Sequence, residues 1–217
     1  MNIPAQNRNL DFLRVYLITD RRLIPKDHFL EALQHALEGG VKAIQLREKD
    51  LPVEELTPIA KNALQLTRKY DAQFFINSRA DLAENIGADG VHLTESCPPV
   101  KEVKEKFPRL LTGVSTHSIK SALQAEAGGA DFITFSPVFD TLSKRKDGKP
   151  QGLKKLAEIT TKVKIPVLAL GGIKSENVSS VIARGAFGIS LISSVWKSQR
   201  IKDTVHELIQ PTSGDLL

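Results

Sequence analysis

Short apolar runs return along the chain at nearly even spacing, each followed by a stretch whose apolar positions recur at helical period. The runs are Arg14–Thr19, Ala43–Leu46, Gln73–Ile76, Gly90–Leu93, Leu111–Ser115, Phe132–Phe135, Pro166–Leu170 and Gly188–Ile192. They are nearly continuous in Val, Ile, Leu and Phe rather than alternating, which is how strands buried on both faces read, and so predict a parallel sheet. Between them, Phe29–Leu37, Val53–Thr67, Ser118–Ala127, Leu153–Val163 and Val178–Ala183 read as amphipathic helices. In the second of these, Leu56, Ile59, Ala60, Ala63, Leu64 and Leu66 mostly trace one stripe. Eight strand–helix units of roughly 27 residues each predict a single-domain α/β fold, a (β/α)8 TIM barrel. The barrel is expected over residues 14–210, with an N-terminal extension at 1–13 and a tail at 211–217. The competing architecture, an open doubly wound sheet, more often stops at about five or six strands.

The turns support repetition. Gly87-Ala88-Asp89, Gly129-Ala130-Asp131 and Gly185-Ala186-Phe187 each stand between a helical stretch and the next strand, and Gly39-Gly40-Val41 plays the same part earlier. Glycine there ends a helix in a left-handed conformation. One long irregular stretch, Ser136–Gly152, follows the sixth strand and carries Lys144, Arg145, Lys146 and Lys149. A basic loop at that end of a barrel reads as a lid over an anion.

Composition changes the picture little. The 217 residues carry a net charge of +5, which suits an anionic ligand, but the basic residues are scattered, which argues against a nucleic-acid partner. Cys97 is the single cysteine, so neither an internal disulfide nor a cysteine zinc cluster is available. No apolar stretch reaches membrane-spanning length, and the polar start lacks a secretory signal core, so the expected location is the cytoplasm. A homo-oligomer is compatible with the sequence.

In a barrel of this kind the reactive side chains come from the C-terminal ends of the strands and the loops beyond them. Gly171 and Gly172 follow the seventh strand, and Ser193-Ser194 follows the eighth, the usual place for a phosphate. At the end of the second strand, alternation puts Gln45, Arg47 and Lys49 on one side, two of them cationic, with Glu48 and Asp50 available as an ion-paired rim. Asn77 ends the third strand, and its amide is able to orient a heterocycle. His92, on the fourth, reads as a satisfied interior histidine. His117 stands at the end of the fifth strand beside the helix cap Ser118, where an imidazole suits general acid–base chemistry.

Taken together these stretches resemble the thiamine phosphate synthase and TenI (thiazole tautomerase) family. The resemblance rests on Tyr16-Leu-Ile-Thr-Asp20, Gln45-Leu-Arg-Glu-Lys-Asp50, Ile76-Asn-Ser-Arg-Ala-Asp81, Gly87-Ala-Asp-Gly-Val-His-Leu93, Gly113-Val-Ser-Thr-His117, the segment Ser136–Lys144, Gly171-Gly-Ile173 and Ser190-Leu-Ile-Ser193. It implies that Gln45, Arg47, Lys49, Asn77, Ser115 and Lys144 bind an aminopyrimidine pyrophosphate. It further implies that Thr141, Ser143, Gly172, Ile192 and Ser193 hold a thiazole phosphate. The family's synthases hold magnesium with two aspartates, and Ser78 and Cys97 stand at those positions here. Neither hydroxyl nor thiol replaces a carboxylate well for magnesium.

That departure makes a metal-independent thiazole tautomerase, with His117 moving the proton and no cofactor, the favoured expectation. The alternative is a synthase joining the two halves with an altered magnesium site; Glu95 is near enough in sequence to substitute. A non-catalytic ligand-binding regulator is the third. The intact Gln45, Arg47 and Lys49 set weighs against a pure tautomerase.

Overall fold

The computed structural model describes residues 9–25, 27–141 and 149–212. In it the eight apolar runs become β1 Val15–Ile18, β2 Ala43–Leu46, β3 Gln73–Asn77, β4 Gly90–Leu93, β5 Leu111–Thr116, β6 Phe132–Phe135, β7 Val167–Leu170 and β8 Gly188–Leu191. All neighbours pair in parallel, and β8 returns to β1 to close the barrel. The helices are α1 Phe29–Glu38, α2 Val53–Lys69, α3 Ala80–Ile86, α4 Val100–Lys106, α5 Ile119–Ala127, α6 Gly152–Lys162, α7 Ser175–Ile182, the short α8 Ser193–Trp196, and α9 Ile201–Ile209. The β3 and β5 strands run one residue further than the apolar pattern, because their polar ends keep pairing at the mouth.

The Gly-Ala-Asp turns have a bonding reason as well as a conformational one. Gly87 and Gly129 take positive φ. The following aspartates cap the neighbouring strands: Asp89 accepts from the Phe74 N–H at 2.7 Å, and Asp131 from the Thr112 N–H at 2.7 Å.

Register places the interior side chains in rings of four from alternate strands, as barrel closure requires. Gln45 is level with Phe75 and Phe75 with Gly90; strand tilt then brings His92, two residues on, to the height of Gln45. The same step leads to Thr134, then Ser190, and back to Gln45. Below this polar ring lies Tyr16, Phe75, Gly113 and Leu168; above it lies Ile18, Asn77, Ser115 and Leu170. The barrel floor is aromatic: Tyr16, Phe75 and Phe132 meet edge to face with centroids 5.3–5.6 Å apart. Leu13, fully buried in a 3-10 turn Asp11–Arg14, seals it from beneath with Leu10 and Phe12.

Glycine makes room for those rings. A Cβ on Gly90 would stand 2.4 Å from both the Leu111 carbonyl and the Phe75 ring. Gly90→Ala is expected to destabilise the fold by about 3 kcal/mol, since backbone on one side leaves no direction of relief. Urea unfolding checks this; a midpoint equal to that of the unmodified chain would mean the floor is loosely packed.

Candidate active site

Buried polar contacts fix the β2 end of the mouth. The Arg47 N–H donates to Thr19 Oγ1 at 2.9 Å, and that hydroxyl donates to Glu48 Oε1 at 2.6 Å. Glu48, only 4% exposed, also accepts from the Arg21 backbone N–H and from Arg21 Nη1, each at 3.2 Å. Asp50 takes the other side of the same guanidinium, with two bonds of 2.8 Å, and this holds its carboxyl down at about 2. The acidic rim therefore serves Arg21, which stands in the 3-10 turn Arg21–Leu23 after β1 and which no spacing within β2 points to. Arg47 itself is half-buried, and its charge helps depress the His92 pKa, so the guanidinium is electrostatically felt inside the barrel. The extended alternation ends with the strand: Lys49 lies in a turn and is exposed.

Around the ring, Gln45 is buried beneath the mouth, while Asn77 and Ser115 are half-buried in the interior ring above it. His92 is fully buried, and burial, followed by the Arg47 charge, lowers its pKa to about 3. Its Nε2 lies 3.1 Å from Ser115 Oγ.

At the end of β5, His117 is half-buried with Nδ1 2.8 Å from the Ser136 carbonyl oxygen. A carbonyl only accepts, so Nδ1 carries the proton and the neutral ring keeps its lone pair on Nε2. The Ser118 cap is as expected: its hydroxyl accepts from the Ser121 N–H at 3.1 Å and starts α5.

The loop after β7 is pressed onto the segment after β6. Val138 N–H donates to the Leu170 carbonyl at 2.9 Å, and Phe139 N–H to that of Gly171 at 3.0 Å. Gly171 and Gly172 have φ of +100° and +67°, and a Cβ on Gly172 would lie 2.7 Å from the Asp140 carbonyl oxygen. Both positions thus need glycine for conformation and for contact. Ile192 caps α8 and Ser193 opens it; the Val195 and Trp196 N–H groups donate back to the Ile192 carbonyl at 3.3 and 3.1 Å, while those of Ser193 and Ser194 have no acceptor within the helix. Thr141 is half-buried at the edge of the same region. Ser143 and Lys144 lie outside the described residues, as does the basic core of the expected lid.

The family's metal position fails a test of fit. Ser78, at φ +64°, accepts through Oγ from Asn77 Nδ2 at 2.9 Å. Cys97 Sγ turns back to the Thr94 N–H at 3.3 Å, and Glu95 is exposed. Among the described residues no group of three or more His, Cys, Asp or Glu side chains is placed to hold a metal ion. These residues do not suit magnesium. No helix among them is long and apolar enough to cross a membrane.

Fold and site together define a (β/α)8 barrel whose polar, cation-bearing mouth is assembled from strand ends and the loops after them. Residues 15–195 match the family model described as thiamine monophosphate synthase. The chain is 43% identical over 196 residues to the thiamine-phosphate synthase of Pyrococcus furiosus, covering 90% of this chain and 93% of that one. It is 47% identical over 184 residues to a putative thiamine-phosphate synthase 2 of Aquifex aeolicus, covering 85% and 98%. Among solved structures, the thiamine phosphate pyrophosphorylase from Pyrococcus furiosus superposes with a TM-score of 0.86 at 41% identity, over 93% of this chain and 96% of that one. The chain belongs to the thiamine monophosphate synthase family, a family of thiamine-biosynthesis enzymes.

Proposed function

We propose that this chain joins an aminopyrimidine pyrophosphate to a thiazole phosphate. This is the second of the two enzymatic expectations, and it displaces the tautomerase that Ser78 and Cys97 favoured. The observation that carries it is the presence of two polar sets on separate strands: Gln45 and Arg47 with Asn77 and Ser115 from β2 to β5, and the Gly171–Gly172 and Ile192–Ser193 backbone after β7 and β8. An isomerase with one substrate needs one anion cradle; a coupling enzyme needs two. Relatives that carry the synthase name over nearly their full length support the same reading.

In this reaction the bond from the pyrimidine methylene carbon to the pyrophosphate oxygen breaks, and its electron pair leaves with the pyrophosphate. The thiazole nitrogen lone pair forms the new C–N bond and becomes the cationic ring nitrogen. Arg47 and Lys49 meet the charge that grows on the leaving group, Asn77 and Ser115 orient the pyrimidine, and the glycine loop with Thr141, Ile192 and Ser193 holds the thiazole phosphate. Ser143 and Lys144 complete these sets by family resemblance.

The tautomerase remains as a second reading because of one observation: His117 Nδ1 donates to the Ser136 carbonyl, which puts the lone pair of the neutral ring on Nε2, as a proton shuttle requires. Purified chain, given both halves with and without magnesium, is expected to form thiamine phosphate. His117→Ala is then expected to reduce coupling less than about tenfold, because no proton moves in that step. Absence of coupling, together with thiazole proton exchange that His117→Ala abolishes, would replace the first reading with the second.

A further inference from the structure

The polar interior ring is linked to the one above it by a directed path. Gln45 Nε2 donates to the Tyr16 hydroxyl at 3.2 Å; that hydroxyl lies 3.4 Å from His92 Nδ1; His92 Nε2 lies 3.1 Å from Ser115 Oγ. Gln45, Tyr16 and His92 are at most 1% exposed, so bulk solvent does not reach these bonds. Burial also keeps Tyr16 protonated and His92 neutral, raising the one pKa and lowering the other. The Tyr16 oxygen already receives the Gln45 N–H, so along this path its own proton points to Nδ1. A neutral imidazole that accepts at Nδ1 bears its proton on Nε2, and that N–H is directed at Ser115 Oγ. The serine oxygen is then a receiver from below, and its hydroxyl proton is left for whatever lies above. Gly113 keeps the path open, since a Cβ there would stand 2.6 Å from His92 Nδ1.

We propose that His92 is a positioning residue that sets the polarity of Ser115, making its hydroxyl a donor to the bound ligand and selecting a heteroaromatic ring nitrogen with a free lone pair over a ring N–H or C–H. The inference rests on the coupling reading, in which Ser115 faces the pyrimidine, and it adds the direction of the bond and its origin three residues away. Thr134 and Ser190, the other members of the polar ring, have buried hydroxyls without a hydrogen-bond partner among the described residues and take no part in the path.

Nitrogen-15 NMR of histidine-labelled chain without substrate tests the polarity by itself. His92 is expected as the neutral Nε2–H tautomer at neutral pH; an Nδ1–H tautomer or an imidazolium would overturn the proposal. Because this readout needs no turnover, it separates failure of the proposal from failure of the coupling reading. Kinetics then test the consequence. His92→Leu is expected to raise KM for the pyrimidine pyrophosphate about tenfold with a smaller change in kcat, and His92→Gln, whose amide N–H reaches toward Ser115, to recover most of it. In a Ser115→Ala background His92→Leu should add almost nothing; full additivity would show that His92 acts by another route. If His92→Leu does not fold, the Gln variant and the NMR measurement decide.

Discussion

Arg47→Ala is expected to lower kcat/KM for coupling by about a thousandfold, roughly 4 kcal/mol of transition-state binding, with little change in unfolding temperature. The guanidinium belongs to a side chain whose backbone is clamped by Thr19 Oγ1, itself seated on the buried Glu48. The clamp survives truncation of the side chain, because only the Arg47 N–H takes part in it. What is lost is a half-buried cation inside a low-dielectric mouth, where charge growing on a departing pyrophosphate is stabilised far more than it would be in water. Arg47→Lys keeps the charge without the two-pronged donor, and should restore no more than about one order of magnitude. Lys49→Ala, removing an exposed charge, is expected to cost about tenfold. Steady-state kinetics with the pyrimidine pyrophosphate varied distinguish these cases. An Arg47→Ala enzyme with unchanged kcat/KM would remove the β2 end from the leaving-group site.

The barrel was legible because parallel strands buried on both faces have an unmistakable apolar continuity, and because Gly-Ala-Asp recurs where helices turn into strands. Side-chain facing was partly legible: alternation assigns Gln45 and Arg47 to one side of β2. Alternation stops at the strand's end, however, so the exposed turn that holds Lys49 did not show in it. Contacts between strands were out of reach, since period within one strand carries no register with the next. From sequence alone His92 is therefore a satisfied interior histidine and nothing more, because its link to Tyr16 and Ser115 crosses strands. By spacing Glu48 belongs to an ion-paired rim at its own strand's end; its partner Arg21 comes from the turn after β1, and spacing along the chain contains no trace of that pairing. Leu13, within the expected N-terminal extension, packs against the barrel floor, and a residue in that role looks like any other apolar residue until the ring closes around it.

Installing the family's acidic pair, Ser78→Asp with Cys97→Asp, is expected to tighten magnesium binding on the order of 100-fold and to make coupling respond to magnesium. The backbone is ready for both changes. Ser78 sits at φ +64°, a left-handed position that aspartate occupies more readily than most residues, and its N–H bond to the His92 carbonyl at 2.9 Å does not involve the side chain. An aspartate there would accept the Asn77 amide N–H as the serine does, with a second oxygen to spare. At position 97 the sulfur now accepts from the Thr94 N–H at 3.3 Å; a carboxylate oxygen is the stronger acceptor for that donor and again leaves one oxygen over. Each change therefore costs little in folding, while together they supply two hard anionic oxygens at the adjoining ends of β3 and β4. The singles should fall well short of the pair, because the two ligands act on one ion and their contributions are not independent. Calorimetric titration of magnesium into the double variant measures the gain. An unchanged affinity would mean that positions 78 and 97 do not converge, and that this chain's departure from the synthase pattern lies elsewhere in the mouth.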